Sequence, residues 1–207
     1  PQHWERPVDA PDLLKISLQQ PLLPGENKEL NILYEIKIPS EKFTRFGYDD
    51  DGNYKLKYWY ITPAVYDENW QIYSDKNLGD QYTPPVDLTI RLSTRPYLYV
   101  ATPLKKEKLI TENIYKTTIL SGKNRISSEL YLTKKYRFEI FAFNDLEVLT
   151  NLEDDGLPPT TKAVVLKRIT DFLEERLGPY PHQSIMVTKD NYLNNPAYGF
   201  IQLPKFI

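Results

Sequence analysis

Two histidines are the side chains best suited to metal chemistry in this sequence, which contains no cysteine. His3 lies close to the first residue, and His182 follows a Gly-Pro-Tyr-Pro turn. A catalytic zinc site needs three protein ligands and an open position. The motif H-E-x-x-H, which would place two ligands on one helix face, does not occur. We therefore expect no zinc site formed by this chain alone and interpret both histidines as surface or turn residues.

An acidic run, aspartates 49–51, is followed by Gly52 and suggests calcium binding. An EF-hand loop has acidic or amide ligands at positions 1, 3 and 5, glycine at position 6 and glutamate at position 12. With Gly52 at position 6, Gly47 falls at position 1 and Tyr58 at position 12, and neither residue supplies the ligand. A solvated hairpin turn is therefore favoured, and the acidic stretch 153–156 is interpreted in the same way.

Nucleophilic and phosphate-loop chemistry lack their sequence motifs. No G-x-S-x-G elbow is present, and neither histidine has an obvious serine and acid partner. Only 8 of the 207 residues are glycine, and none forms a glycine-rich phosphate loop. These observations argue against a serine hydrolase and against a nucleotide-binding P-loop.

Aromatic residues offer another chemistry, which is stacking against sugar rings. The cluster comprises Tyr58, Trp59, Tyr60, Tyr66, Trp70 and Tyr73. Packing in a core or between domains is favoured for these residues, because strand alternation sends half of them inward. The alternative is an aromatic binding surface formed by Trp59, Tyr66 and Trp70.

The composition indicates a folded protein with a sizeable core. Hydrophobic residues make up 41% and charged residues 26%, and the net charge is -2. A nucleic-acid partner is not expected, because such proteins carry a basic excess or stripe. No run approaches the 18 or so consecutive apolar residues of a membrane span. The lack of cysteine leaves the compartment open, and we favour export to the periplasm or cell envelope.

Short strands separated by turns are predicted from residue 13 to about residue 149. Apolar and polar residues alternate over 14–18, 30–38, 54–60, 86–92 and 136–142. Alternation with a period of two is typical of half-buried strands, and Gly- and Pro-containing turns separate the runs. We therefore predict a mainly β protein, with an antiparallel sandwich or saddle over residues 1–150.

A polar, proline-containing stretch at 151–160 is interpreted as a linker to a second part at 161–207. A helix follows it, and Thr160 or Thr161 is predicted to cap its first turn. The apolar stripe of this helix consists of Val165, Ile169, Phe172, Leu173 and Leu177. Gly178 is predicted to end the helix, and 184–188 forms a short strand. The second part is thus a short α/β segment of helix, strand and loop.

Both ends of the sequence suggest that it belongs to a longer protein. The first residue is Pro1 rather than methionine, and the last residues, 200–207, are mostly apolar. We expect a processed or excised fragment, with any targeting signal upstream and the second part cut inside a domain.

Several ordered motifs resemble the aminopeptidase N-like gluzincin metallopeptidases, over roughly residues 11–207. Leu22 to Glu26 before a strand is similar to the β domain of that family, and 58–70 is similar to the W-Y-P-x-P-x-x-Y-D segment of its bacterial relatives. The run 170–181 resembles the helix that ends in F/L-G-x-Y-P. The segment 195–206 resembles the chain that reaches the G-x-M-E-N loop.

The resemblance implies a β domain that walls a peptide cleft and the opening of a catalytic domain. In that family zinc is bound further along the chain, and the G-x-M-E-N glutamate binds the free amino terminus of the substrate. The corresponding substrate-binding residues here are Gly199, Phe200, Ile201, Gln202 and Leu203. The sequence departs from the motif at Gln202, where an amide replaces the carboxylate and removes the charge that strengthens a hydrogen bond to an ammonium group.

Three hypotheses follow from the sequence. The first is the non-catalytic N-terminal region of an aminopeptidase-like zinc metallopeptidase or pseudo-peptidase. Its partners would be the rest of its own catalytic domain and a peptide, and any zinc would be bound elsewhere in the complete protein. The second is an exported β-sandwich that binds a glycan or protein through Trp59, Tyr66 and Trp70. The third is an assembly domain whose residues 200–207 contact another chain.

Overall fold

The computed structural model describes residues 3–42, 44–57, 59–72, 83–143, 145–152 and 156–194. It confirms a mainly β protein with antiparallel sheets and a short helical part. The strands are β1 (His3–Glu5), β2 (Lys15–Ser17), β3 (Gly47–Tyr48), β4 (Tyr54–Leu56), β5 (Val65–Asp67), β6 (Asn69–Gln71), β7 (Val86–Thr94), β8 (Tyr99–Ala101), β9 (Lys105–Thr111), β10 (Lys116–Arg125), β11 (Leu130–Thr133), β12 (Glu139–Phe143), β13 (Leu146–Thr150) and β14 (Ser184–Val187). The helices are α1 (Pro159–Leu177) and α2 (Lys189–Asn194).

The chain divides into two compact units, and each unit combines two segments that are separate in the sequence. The first unit consists of Pro1–Lys37 and Tyr60–Pro85, and the second of Ile38–Trp59 and Val86–Ile207. In the first unit, β1 pairs with β2 and β5 pairs with β6, both antiparallel. The linker predicted at 151–160 therefore falls inside the second unit, and its last two residues already belong to α1.

Within the described residues, the second unit contains three sheets whose side chains form two cores. Their strand orders are β7-β10-β9, β3-β4-β11-β8 and β12-β13-β14. Successive side chains of a strand point to opposite faces, so β11 contributes to both cores. Its Leu130 and Leu132 pack with Leu120 of β10 in the first core, whereas Tyr131 packs with Leu149 of β13 in the second core. The four-stranded sheet therefore lies between the other two, and we call it the central sheet.

One predicted strand does not form. The segment 30–38 has the longest apolar alternation, yet it pairs with no strand in the part of the chain that the structure describes. Its alternating side chains, such as Ile32, Tyr34 and Ile36, are 40–53% exposed. Alternation shows that a segment suits a half-buried sheet surface, but a strand also needs a neighbour to take up its N–H and C=O groups.

Helix α1 spans the predicted region and ends as expected at Gly178, which has a φ of 87°. The prediction that Thr160 or Thr161 caps it is wrong, because the N-cap residue is Pro158 and no side chain caps the helix. Pro159 in the first turn has no N–H to satisfy, and its fixed φ suits the start of a helix. The described helices include none that is long and apolar enough to cross a membrane.

Candidate functional site

The five residues predicted to contact a peptide, 199–203, lie outside the described residues. The structure does describe the segment that leads to them, from β14 through α2. Strand β14 lies parallel to β13, with Glu147 paired to Ser184 and Thr150 to Val187. Parallel neighbours need a crossover connection, and α1 lies within it. The predicted strand at 184–188 is thus confirmed as an edge of the third sheet.

A buried hydroxyl pair fixes the chain where it leaves β14. Thr188 is fully buried, and the Tyr131 hydroxyl donates a hydrogen bond of 3.1 Å to Thr188 Oγ1. The same Oγ1 accepts the backbone N–H of Asn191 at 3.1 Å, which makes Thr188 the N-cap of α2. Burial raises the pKa of the Tyr131 phenol, so it stays a neutral donor. The start of α2 is therefore held by the central sheet.

Ion pairs hold the next residues of the same segment. The Lys55 ammonium lies 3.1 Å from Asp190 Oδ1 and 2.8 Å from Glu41 Oε2. Burial alone would lower the pKa of Lys55, but attraction and hydrogen bonding from Glu41 and Asp190 together raise it. The Asn191 side chain donates to Glu129 Oε2 at 2.8 Å. Three neighbouring residues, 188, 190 and 191, thus contact strands of the central sheet or residues flanking them; we call this set of contacts the anchor.

The acidic run that suggested calcium binding is a hairpin turn, as predicted. Asp49 accepts the Asn53 backbone N–H at 2.8 Å and its side-chain amide at 2.7 Å. Gly52 has a φ of 76° and donates to the Asp49 carbonyl at 3.0 Å. Among the residues that the structure describes, no group of three His, Cys, Asp or Glu side chains is arranged to hold a metal ion.

The aromatic residues of the alternative binding surface have different environments. Tyr66 and Trp70 form an edge-to-face pair across β5 and β6, with ring centroids 5.1 Å apart and planes at 70°. They are 63% and 61% exposed. Trp59 belongs to the second unit, where it packs on the first core and donates from Nε1 to the Ser128 carbonyl at 3.1 Å. The exposed aromatic surface is therefore a pair of rings that are not coplanar.

Helix α1, all of which the structure describes, has no fully buried residue. Lys162, Leu166 and Thr170 are half-buried, and Lys162 Nζ lies 3.3 Å from Glu139 Oε2 of β12. The neighbouring predicted stripe remains 45–81% exposed; it comprises Val165, Ile169, Phe172, Leu173 and Leu177. We call these five residues the α1 stripe. Contiguous exposed apolar surface is typical of an interface.

Comparison with known proteins adds no relative from which a role could be transferred. The chain matches no protein-family model, no curated protein and no solved structure. The aminopeptidase resemblance therefore remains a hypothesis that depends on the sequence motifs.

Sequence reasoning missed the anchor. Lys55 and Asp190 are 135 residues apart, and Tyr131 and Thr188 are 57 apart. No local motif links these residues across such separations, so their contact could not be predicted from the sequence. The one partial clue was the polar run after the predicted strand, since Thr188 followed by Asp190 resembles a helix start.

Proposed function

We propose that this chain is the non-catalytic N-terminal region of an aminopeptidase-like zinc metallopeptidase or of an inactive relative. Its role is to wall the peptide cleft and to support the rest of its own catalytic domain. The observation that carries the proposal is the exposed α1 stripe. The described residues do not provide a set of zinc ligands, so no step of a reaction is assigned to them.

The α1 stripe supports the proposal because it lies where the motif resemblance places the opening of a catalytic domain. Its five large apolar side chains are 45–81% exposed. Moving such a side chain from full exposure to full burial is worth about 1.5–3 kcal/mol, so each would gain roughly half of that or more. A catalytic domain that continues after this chain is the partner with which such a helix would form a common core.

The anchor supports the second half of the proposal, which is a role beside the substrate. It holds residues 188–191 against the central sheet through Tyr131, Lys55 and Glu129. Sites built on a rigid framework keep their geometry better than sites on unsupported loops. The anchor therefore fixes residues 188–191, and the predicted substrate-binding residues Gly199 and Gln202 follow them in the sequence.

Replacing Gln202 by Glu tests the substrate side of the proposal in the complete protein. A carboxylate binds an ammonium group through charge-assisted hydrogen bonds, whereas an amide forms weaker neutral ones. We expect Gln202→Glu to raise the affinity for a dipeptide amide with a free amino terminus by about fivefold. Isothermal titration calorimetry measures this change.

The N-acetylated form of the same dipeptide amide is the control, because it has no ammonium group. Its affinity should be the same for Gln202→Glu and the wild type. An equal gain for both peptides, or no gain for either, would contradict the role of residue 202 in binding the amino terminus.

The Tyr66–Trp70 pair favours a second candidate function, a binding module for a glycan. Both rings are exposed and contact each other edge to face. If this function is correct, Trp70→Ala should weaken binding to an oligosaccharide by about tenfold or more, as expected for an aromatic hot spot. Glycan-array screening followed by titration of the best oligosaccharide measures this effect.

Trp4→Ala is the matched control for that experiment, since Trp4 is 62% exposed in the same unit. Binding that resists Trp70→Ala, or that both variants weaken equally, would remove the aromatic pair as a glycan site.

A further inference from the structure

A cavity of about 370 Å³ lies beside the anchor, within the second unit. Its walls come from the β3–β4 turn, the end of β11 and the start of α2. The residues that carry the argument are Lys134, Lys135, Arg137, Lys189, Asp49 and Asp51. Cavities that take small organic molecules begin at about 300 Å³, so this one is large enough for a compact ligand.

The cavity carries an excess of positive charge. Lys55 and Asp190 also line it, but they pair with each other. Four cations remain, on residues 134, 135, 137 and 189, and within the described part of the chain none of them forms a salt bridge with a carboxylate. Only Asp49 and Asp51 oppose them. The cations therefore exceed the carboxylates by two.

Two asparagine side chains hold the backbone at two of these cations, Lys134 and Lys189. Asn53 Oδ1 accepts the Lys134 N–H at 2.9 Å, and Asn151 Oδ1 accepts the Lys189 N–H at 2.8 Å. The absent side chain of Gly52 also makes room, because a Cβ there would lie 2.9 Å from Lys134 Nζ. These contacts fix the backbone from which the exposed Lys134 and Lys189 side chains extend at the cavity.

We propose that this cavity binds a small, doubly charged oxyanion of the phosphate monoester class. A phosphate monoester carries nearly two negative charges at neutral pH, which matches the charge excess. Lysine and arginine donate charge-assisted hydrogen bonds to its oxygens. Tyr131 and Phe138 lie beneath the cavity as buried core side chains, so the exposed cations around it supply the contacts to the ligand. The proposal does not depend on the peptidase-like role.

Calorimetric titration of residues 1–207 with phenyl phosphate, inorganic phosphate and benzoate tests the proposal. We expect one phenyl phosphate per chain, with tighter binding than benzoate because benzoate has a single charge. The difference in affinity between phenyl phosphate and inorganic phosphate shows whether an ester or the free ion is preferred. In the double variant Arg137→Gln/Lys189→Gln, phenyl phosphate affinity should fall by about tenfold or more, since charged hydrogen bonds are lost.

The matched control is Lys108→Gln/Lys123→Gln, which removes two positive charges from exposed positions on β9 and β10. It should change the affinity by less than about twofold, because neither lysine lines the cavity and exposed charges are screened by salt. Lys135→Gln, at an exposed position, provides a second cavity variant if the double variant fails to fold. Absence of saturable binding of both phosphate probes, benzoate binding as tight as phenyl phosphate, or equal weakening by both double variants would overturn the proposal.

Discussion

Replacing Lys55 by Met is expected to destabilise the chain by about 2–3 kcal/mol, because two carboxylates would then face each other without a cation. The Lys55 ammonium lies between Glu41 and Asp190, at 2.8 and 3.1 Å. All three side chains are less than 30% exposed. Removing one partner of a fully buried pair costs about 3–5 kcal/mol, and the partial exposure here reduces that penalty. Urea denaturation at neutral pH measures the loss.

Lys42→Met is the control for this prediction. Its ion pair with Asp50, at 3.5 Å, is more than 70% exposed on both sides, so its loss should change the stability by less than about 0.5 kcal/mol. The triple variant Lys55→Met/Glu41→Gln/Asp190→Asn should recover much of the stability, because it removes the unpaired charges as well. A Lys55→Met protein as stable as the wild type would contradict the structural importance of the anchor.

The pH dependence of the same ion pairs has a defined direction. The folded state raises the pKa of Lys55 above 10.5. The contribution of Lys55 to the free energy of unfolding is therefore fully present below pH 10.5, and it is lost as the pH rises through the folded-state pKa. The stability difference between the wild type and Lys55→Met should stay constant around neutral pH and shrink only in strongly alkaline solution.

The sequence predicts local structure well where periodicity and turn residues agree. Strand β7, helix α1, strand β14 and the turn at Gly52 all lie where these patterns indicate. The segment 30–38 has an equally regular pattern and does not pair with a strand in the described structure. Periodicity reports which face of an element is apolar, whereas the presence of a partner depends on distant parts of the chain.

Helix α1 shows the same limit from another side. Spacing identifies Val165, Ile169 and Phe172 as one stripe, and that grouping is correct. An apolar stripe with this spacing is typical of a helix face that packs on a core, but its five side chains are 45–81% exposed, and the ion pair with Glu139 of β12 comes from Lys162, outside the stripe. The spacing therefore identifies which side chains share a face of the helix, but it cannot tell whether another part of the chain covers that face.

The candidate site is the least predictable part, because long-range contacts build it. The charges that surround the cavity come from three separate stretches, around residues 49–55, 131–138 and 189–190. Each stretch alone has the composition of a solvated loop. Only the stacking of the second and third sheets brings them together.

We expect the α1 stripe to be protected from solvent in the complete protein, so that a thiol in the stripe reacts much more slowly there than in residues 1–207 alone. The chain contains no cysteine, so a single introduced thiol reports on one position. Ile169→Cys places the thiol in the stripe, where Ile169 is 50% exposed. Asp171→Cys places it on the charged face of the same helix, where Asp171 forms only an exposed ion pair with Lys167. Loss of this exposed ion pair has little effect on the free energy of unfolding.

The rate of thiol labelling at these two positions tests most directly whether this chain supports a larger catalytic domain. In residues 1–207 alone, both thiols should react at similar rates, because both positions are exposed. In the complete protein, Ile169→Cys should react at least about tenfold more slowly, since burial limits labelling to local opening, while Asp171→Cys keeps its rate. Equal rates for Ile169→Cys in the two proteins would contradict the proposed role of the chain.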